Sequence, residues 1–189
     1  SAYCQARAAL PLAWLRALFE ALGQWFEPRT KGEWYGRTVR AVDGTGFSMP
    51  DTQANRRRWP YAGGQKRGCG FPTGKLVGLF CLHTGRLLAF AEATWKTHDL
   101  TLARKLLRRL HAGEVLIADR AYCGWFFLVQ LLARKVDFVI RLHQGRRERS
   151  PRHRSWWEAW TKPQRPSGQS RRAWKKRPKE LLVRLVRFQ

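Results

Sequence analysis

The continuous apolar run Val115-Leu116-Ile117-Ala118 constrains the fold most, because no polar residue marks a solvent-facing side. Runs of this kind belong to strands buried on both faces, inside sheets covered by helices. The flanking sequence agrees. Leu102, Leu106, Leu107 and Leu110 recur at helical spacing upstream, with Arg104, Lys105, Arg108 and Arg109 on the opposite face and Gly113 closing the helix. Downstream, a helix is expected over residues 124–134, then a strand at Phe138-Val139-Ile140-Arg141-Leu142. Nearer the start, residues 38–45 read as a buried strand that runs into a turn at Val42-Asp43-Gly44-Thr45. Residues 76–82 and 86–95 read as a hairpin around Gly85. Three antiparallel strands followed by alternating helices and strands imply an α/β fold with a mixed sheet and flanking helices.

Residues 1–27 have a helical rhythm at Leu10, Ala13, Trp14, Ala17, Leu18 and Leu22, interrupted by Pro11 and ended by Pro28. Nothing upstream supplies a packing partner, so this helix is expected to belong to a domain whose earlier part is missing. Residues 50–74 are rich in Pro, Gly, Asn, Gln and Arg without a period, and read as one long loop. From Gln144 onward the chain carries 15 Lys+Arg against three Glu, and only residues 181–188 alternate like a strand. The expected organisation is an N-terminal helical region at 1–33, a core at 34–143 and the start of a basic β-rich insertion at 144–189.

Charge points to the partner. The 37 Lys+Arg against 13 Asp+Glu leave a formal net charge of +24, which repels itself in a compact fold unless a polyanion is near. Nucleic acid is the obvious polyanion. Most of the cations are Arg, which forks onto phosphate oxygens and stacks on bases. The ten Trp suit a core or a stacking platform, with core the better expectation for each alone. No apolar run approaches the length of a membrane span, and the N-terminus lacks the pattern of a signal peptide. Cys4, Cys69, Cys81 and Cys123 form no C-x-x-C pair, and His83, His98, His111, His143 and His153 have no ligand spacing. No membrane partner is expected, and the chain reads as cytoplasmic with reduced thiols.

Asp43 and Asp119 each follow an apolar run, which delivers an acid to the rim of a hydrophobic sheet. If the two strands are neighbours, both carboxylates face one crevice. Close carboxylates repel unless a cation lies between them, and Mg²⁺, with its preference for hard oxygen ligands, fits. The plainer reading makes each acid a turn-former or a salt-bridge partner. Arg56, Arg57, Arg58, Lys66 and Arg67 in the long loop are candidates for DNA-backbone contact, against a simply solvated loop. Arg120 and Tyr122, beside Asp119, are further candidates for a phosphate. In His98-Asp99, Asp99 is expected to cap the helix that follows.

The stretches SAYCQAR, AVDGTGFSMPDTQAN, QKRGCGFP, KLVGLFCLHTGRLLAF, HDL, VLIADRAYC and VIRLHQGRR resemble the insertion-sequence-4 family of DDE transposases, almost continuously over residues 1–147. The resemblance implies a ribonuclease-H-like core with a β-rich insertion before its last catalytic acid. It implies that Asp43 and Asp119 are the first two catalytic acids and Mg²⁺ ligands. It also implies DNA as partner, both transposon ends and target, and a homodimer in the intact enzyme. The family's third acid is a Glu within Tyr-x-x-Arg-x-x-x-Glu-x-x-x-x-x-x-Lys, and no such pattern occurs here. Glu148, Glu158 and Glu180 are the only acids after Asp137, and none has Tyr and Arg at those spacings. The chain is therefore expected to be a transposase piece truncated at both ends, whose intact relative cleaves DNA. One alternative is a non-catalytic DNA-binding remnant; another is a ribosomal or RNA-packaging protein, which has no need of acids at two strands.

Overall fold

In a computed structural model, residues 2–25, 34–62, 70–143, 154–166 and 170–187 are described. Five strands form a mixed sheet in the order β3-β2-β1-β4-β5, and two more, β6 and β7, form a separate ribbon. The chain divides into two compact units, residues 1–109 and 110–189. The mixed sheet with flanking helices is the α/β architecture expected from the apolar runs.

The first unit holds α1 (Ala2–Ala9), α2 (Leu12–Trp25), β1 (Val39–Ser48), α3 (Gln53–Arg58), β2 (Thr73–Cys81), β3 (Leu87–Thr94) and α4 (Asp99–Leu106). β1, β2 and β3 pair antiparallel, with Asp43 opposite Gly78 and Gly78 opposite Phe90. Alternation along the strands gives the sheet two distinct faces. Val42, Val77, Leu79, Cys81, Ala89 and Ala91 are buried on one, the face against which Leu102 and Leu106 of α4 pack. The other carries Asp43, Thr45 and Phe47. α2 reaches this second face at β3, where Phe19 meets Phe90 edge-on at 5.5 Å.

Three expectations are corrected in this unit. β1 does not end in a turn at Asp43 but continues to Ser48, with Gly44 paired to Val77 and Gly46 to Lys75. The glycines imitate a turn in sequence, yet they keep extended backbone. The ring of Phe47 lies across Gly74, where a Cβ would come within 2.6 Å of it. The long loop contains α3, capped by Thr52, whose hydroxyl accepts from the Asn55 N–H at 3.2 Å. Finally, α4 is capped by His98, whose Nδ1 accepts from the Leu100 N–H at 3.3 Å, while Asp99 pairs with Lys75 at 2.7 Å.

Pro11 separates α1 from α2, as its lost N–H requires. The apolar rhythm of α2 lies outward: Trp14 is 72% exposed, and Leu18 and Leu22 are exposed too.

The second unit is a βαβ element of β4 (Val115–Ala118), α5 (Trp125–Leu132) and β5 (Asp137–Ile140), with β4 and β5 parallel. After β4 comes a short 3₁₀ turn, Arg120–Tyr122. α5 is apolar nearly all round and is buried through Trp125, Phe127, Leu128, Val129 and Leu131. The ribbon of β6 (Ser155–Thr161) and β7 (Glu180–Val186), together with α6 (Arg171–Lys175), belongs to this unit. Trp125 Nε1 donates to the Trp160 carbonyl at 3.3 Å, and Trp174 packs on Phe126 with ring centres 4.9 Å apart. Lys162 closes the C-terminal end of α6, its Nζ donating to the carbonyls of Trp174 and, just past the helix, Arg177 at 2.5 and 3.0 Å. β6 was not legible in the basic tail.

The packing sets a contrast in stability. Leu102→Ala removes a side chain with no exposed surface and should cost about 2–5 kcal/mol. Leu18→Ala, on the outward face of α2, should change stability by less than about 0.5 kcal/mol. Chemical denaturation of both variants checks this, and a large loss at Leu18 would contradict the outward orientation.

Candidate functional site

Asp43 is the fifth residue of β1, exposed on the face opposite α4. The N–H of Gly44 donates to its Oδ1 at 2.8 Å, which restrains the carboxylate of this exposed residue. In the other unit, Asp119 follows the last residue of β4 and caps the 3₁₀ turn. Its Oδ1 accepts from the Ala121 N–H at 2.8 Å, and the residue is again exposed. Each acid is thus held through one oxygen by a backbone N–H, on an exposed residue. An exposed, pre-oriented, hard oxygen donor suits a divalent cation such as Mg²⁺, which takes few protein ligands and keeps several waters. Among the described residues, no cluster of three or more His, Cys, Asp or Glu is placed to hold a metal ion.

The three arginines of α3 have different fates. Arg56 forks onto Asp51, Nε to Oδ1 at 2.6 Å and Nη2 to Oδ2 at 2.7 Å, and the Tyr61 hydroxyl donates to the same Oδ1 at 2.5 Å. Arg58 lies over the Trp59 ring at 5.3 Å and meets Glu92 of β3 at 3.5 Å. Arg57 is exposed, and no acid pairs with it among the described residues. Trp59, buried beneath α3, packs edge-on against Phe47 at 5.7 Å, so the helix is anchored to the strand that carries Asp43. Asp51 and Tyr61 were missed in the sequence, because their convergence depends on a helical turn hidden in an aperiodic stretch.

Arg120 is half-buried beside Asp119. Tyr122 is only 1% exposed and packs on Phe127 at 6.0 Å between ring centres. This corrects the expectation of a phosphate contact: the ring belongs to the core, and its burial keeps a DNA backbone from reaching it. Lys66 and Arg67 lie outside the described residues.

The Asp51 cluster sets two titrations apart. Hydrogen bonds from Arg56 and then Tyr61 lower the Asp51 carboxyl below its ordinary value. The bond to Asp51 chiefly raises the Tyr61 phenol above its own. A lowered carboxyl contributes stability above its unfolded pKa and loses it as pH falls through the folded one. The anchor should therefore survive acidification through the ordinary carboxylate range and fail only below it. Asp51→Asn should return the Tyr61 titration towards that of a free phenol. Ring NMR signals of Tyr61 followed against pH test both points; an unchanged titration in Asp51→Asn would show that the bond carries no weight.

Comparison with known proteins follows the same residues. The family model described as "Transposase DDE domain" matches residues 34–188. The transposase InsG for insertion sequence element IS4, from Escherichia coli K12, is 28% identical over 123 residues, which is 65% of this chain and 28% of InsG. The protein InsZ of the same organism is 29% identical over 136 residues, 69% of this chain and 45% of InsZ. The chain thus spans less than half the length of either relative. Among solved structures, the piggyBac transposase synaptic complex with hairpin DNA superposes with a TM-score of 0.44 at 12% identity, over 63% of this chain and 28% of that one. With that model matched over residues 34–188, most of the chain, the chain belongs to the transposase DDE domain family.

Proposed function

We propose that the chain is the part of a transposase that carries the first two acids of a DNA strand-cleavage centre, within a ribonuclease-H-like core at residues 34–143. The observation that carries this reading is the family match over residues 34–188 joined to two exposed carboxylates, each fixed by one backbone N–H. In the proposal, Asp43 and Asp119 each serve as a ligand of a divalent ion, taken to be Mg²⁺. When bound, the ion supplies Lewis-acid stabilisation of the phosphodiester oxygens. The chain's own contribution is to hold the two acids rigid and to bring cations against the strand being cut. Arg57, Arg58 and Arg120 are the proposed DNA-backbone contacts among the described residues. Arg56 is assigned instead to the Asp51 anchor. Both transposon ends and target DNA are the proposed substrates, and cutting two ends fits a homodimer of the intact enzyme.

Manganese binding, read by electron paramagnetic resonance, tests the acids. Asp43→Asn and Asp119→Asn should each weaken it by about tenfold or more, since loss of even an outer partner of a metal ligand has an effect of that size. In a full-length relative, the matching substitutions should abolish strand cleavage and leave DNA binding intact. Manganese binding equal to that of the unsubstituted chain would remove the acid concerned from the site. Salt-sensitive DNA binding with no ion-dependent cutting in the full-length relative would favour a DNA-binding remnant instead.

A further inference from the structure

We propose that the cleft bounded by α2, β3 and α4 is a second DNA contact that takes phosphodiester groups of a strand running past Asp43. The proposal rests on the reading of the chain as a DNA-handling transposase segment and adds a site to it. The cleft lies wholly within the first unit and has a volume of about 380 Å³. Its floor is apolar, made by Phe19 of α2 and Phe90 of β3, which meet edge-on. Its rim is cationic.

The rim's charges do not cancel. Glu20 pairs with Arg109 at 2.9 Å. Glu92 stands between Arg16 of α2 and Arg58 of α3, each at 3.5 Å. Both acids are therefore already matched, and two arginines share one of them. Lys105 and Arg108, also on the rim, meet no acid among the described residues. A cationic rim over an apolar floor suits a ligand with anionic groups along one edge and a sugar or base beside them. Repeated phosphates satisfy that better than a single small anion.

Register supplies the direction. Phe90 lies opposite Gly78, and Gly78 opposite Asp43, so Phe90 and Asp43 share a face two strands apart. Two inter-strand spacings amount to roughly 10 Å. That is about three steps of a DNA strand at ~3.4 Å each. Glu92, by meeting both Arg58 and Arg16, joins Arg58 of α3 to the rim of the cleft. A strand laid along α3 therefore reaches the Phe90 side of the cleft within a few nucleotides of the acid, and Lys105 and Arg108 stand on its α4 side, across the edge strand β3.

The experiment uses the full chain and a short DNA duplex, with affinity followed by fluorescence anisotropy across a salt series. Each phosphate contact contributes about 0.9 to the slope of log affinity against log salt. Lys105→Gln/Arg108→Gln should lower that slope by roughly two. The charge-keeping Lys105→Arg/Arg108→Lys pair should retain it. A control pair of exposed cations that do not line the cleft, Lys96→Gln/Lys135→Gln, should also retain it. Circular dichroism confirms that each variant is folded. A cleft variant with the original slope, or a control pair with an equal loss, overturns the cleft and leaves the transposase reading standing. Failure of the unsubstituted chain to bind DNA, or tighter binding of an RNA duplex of the same sequence, overturns both. Inorganic phosphate titrated at constant ionic strength covers the remaining source. If it protects the cleft while the DNA slope is unchanged in the variant, the site takes free phosphate and the proposal fails.

Discussion

The register between β1 and β2 is the constraint on which the rest depends. Val42 lies opposite Leu79 and Asp43 opposite Gly78. Side chains alternate across a sheet, so a slip of one residue would exchange every position between its faces. Asp43 would turn under the leucines of α4, and Val42 would turn to water. An unpaired carboxylate in an apolar layer is costly enough that the pairing has a single good solution. The same register places Phe90 and Glu92 relative to Asp43. The hydrophobic core thus determines the position of a polar group it never touches.

Asp119 is held by a different device. Nothing about its face needs a long ladder, because it directly follows a short strand, whose first two residues are buried, and takes the N–H of the turn that follows. The apolar run before it is legible because a strand buried on both sides leaves no polar alternation to misread. The leucines of α4 and the turn after it are legible for a related reason: Leu102, Leu106, Leu107 and Leu110 are all buried, as their period demands. Gly44 and Gly46 mislead, since glycine promises a turn locally while tertiary pairing keeps it extended. α2 misleads in another way. Its period tells which residues share a face but carries no information on what covers that face.

The candidate site was legible in its acids and much less so in its cations. Arg56, Arg57 and Arg58 are equivalent as letters. In the fold one is a staple for Asp51, one lies between Trp59 and Glu92, and one faces water. These assignments depend on contacts between residues far apart in sequence, such as Arg58 with Glu92. Tyr122 shows the same limit: adjacency to an acid suggested a role at the surface, while the ring completes the packing around α5. The ribbon of β6 and β7 was half legible, because Leu181, Val183 and Leu185 alternate cleanly. The clustered tryptophans of β6 sit among arginines and prolines that obscure their period.

The separation of α1 from the rest by Pro11 has a chemical consequence. No residue of α1 is buried, so little beyond its own short helix resists its opening. Its Cys4 is exposed, whereas Cys81 and Cys123 are buried. Thiol reagents discriminate by access. Among the described cysteines, an alkylating probe should therefore settle first on this outer turn and give the N-terminal end a spectroscopic handle, with the sheet left undisturbed.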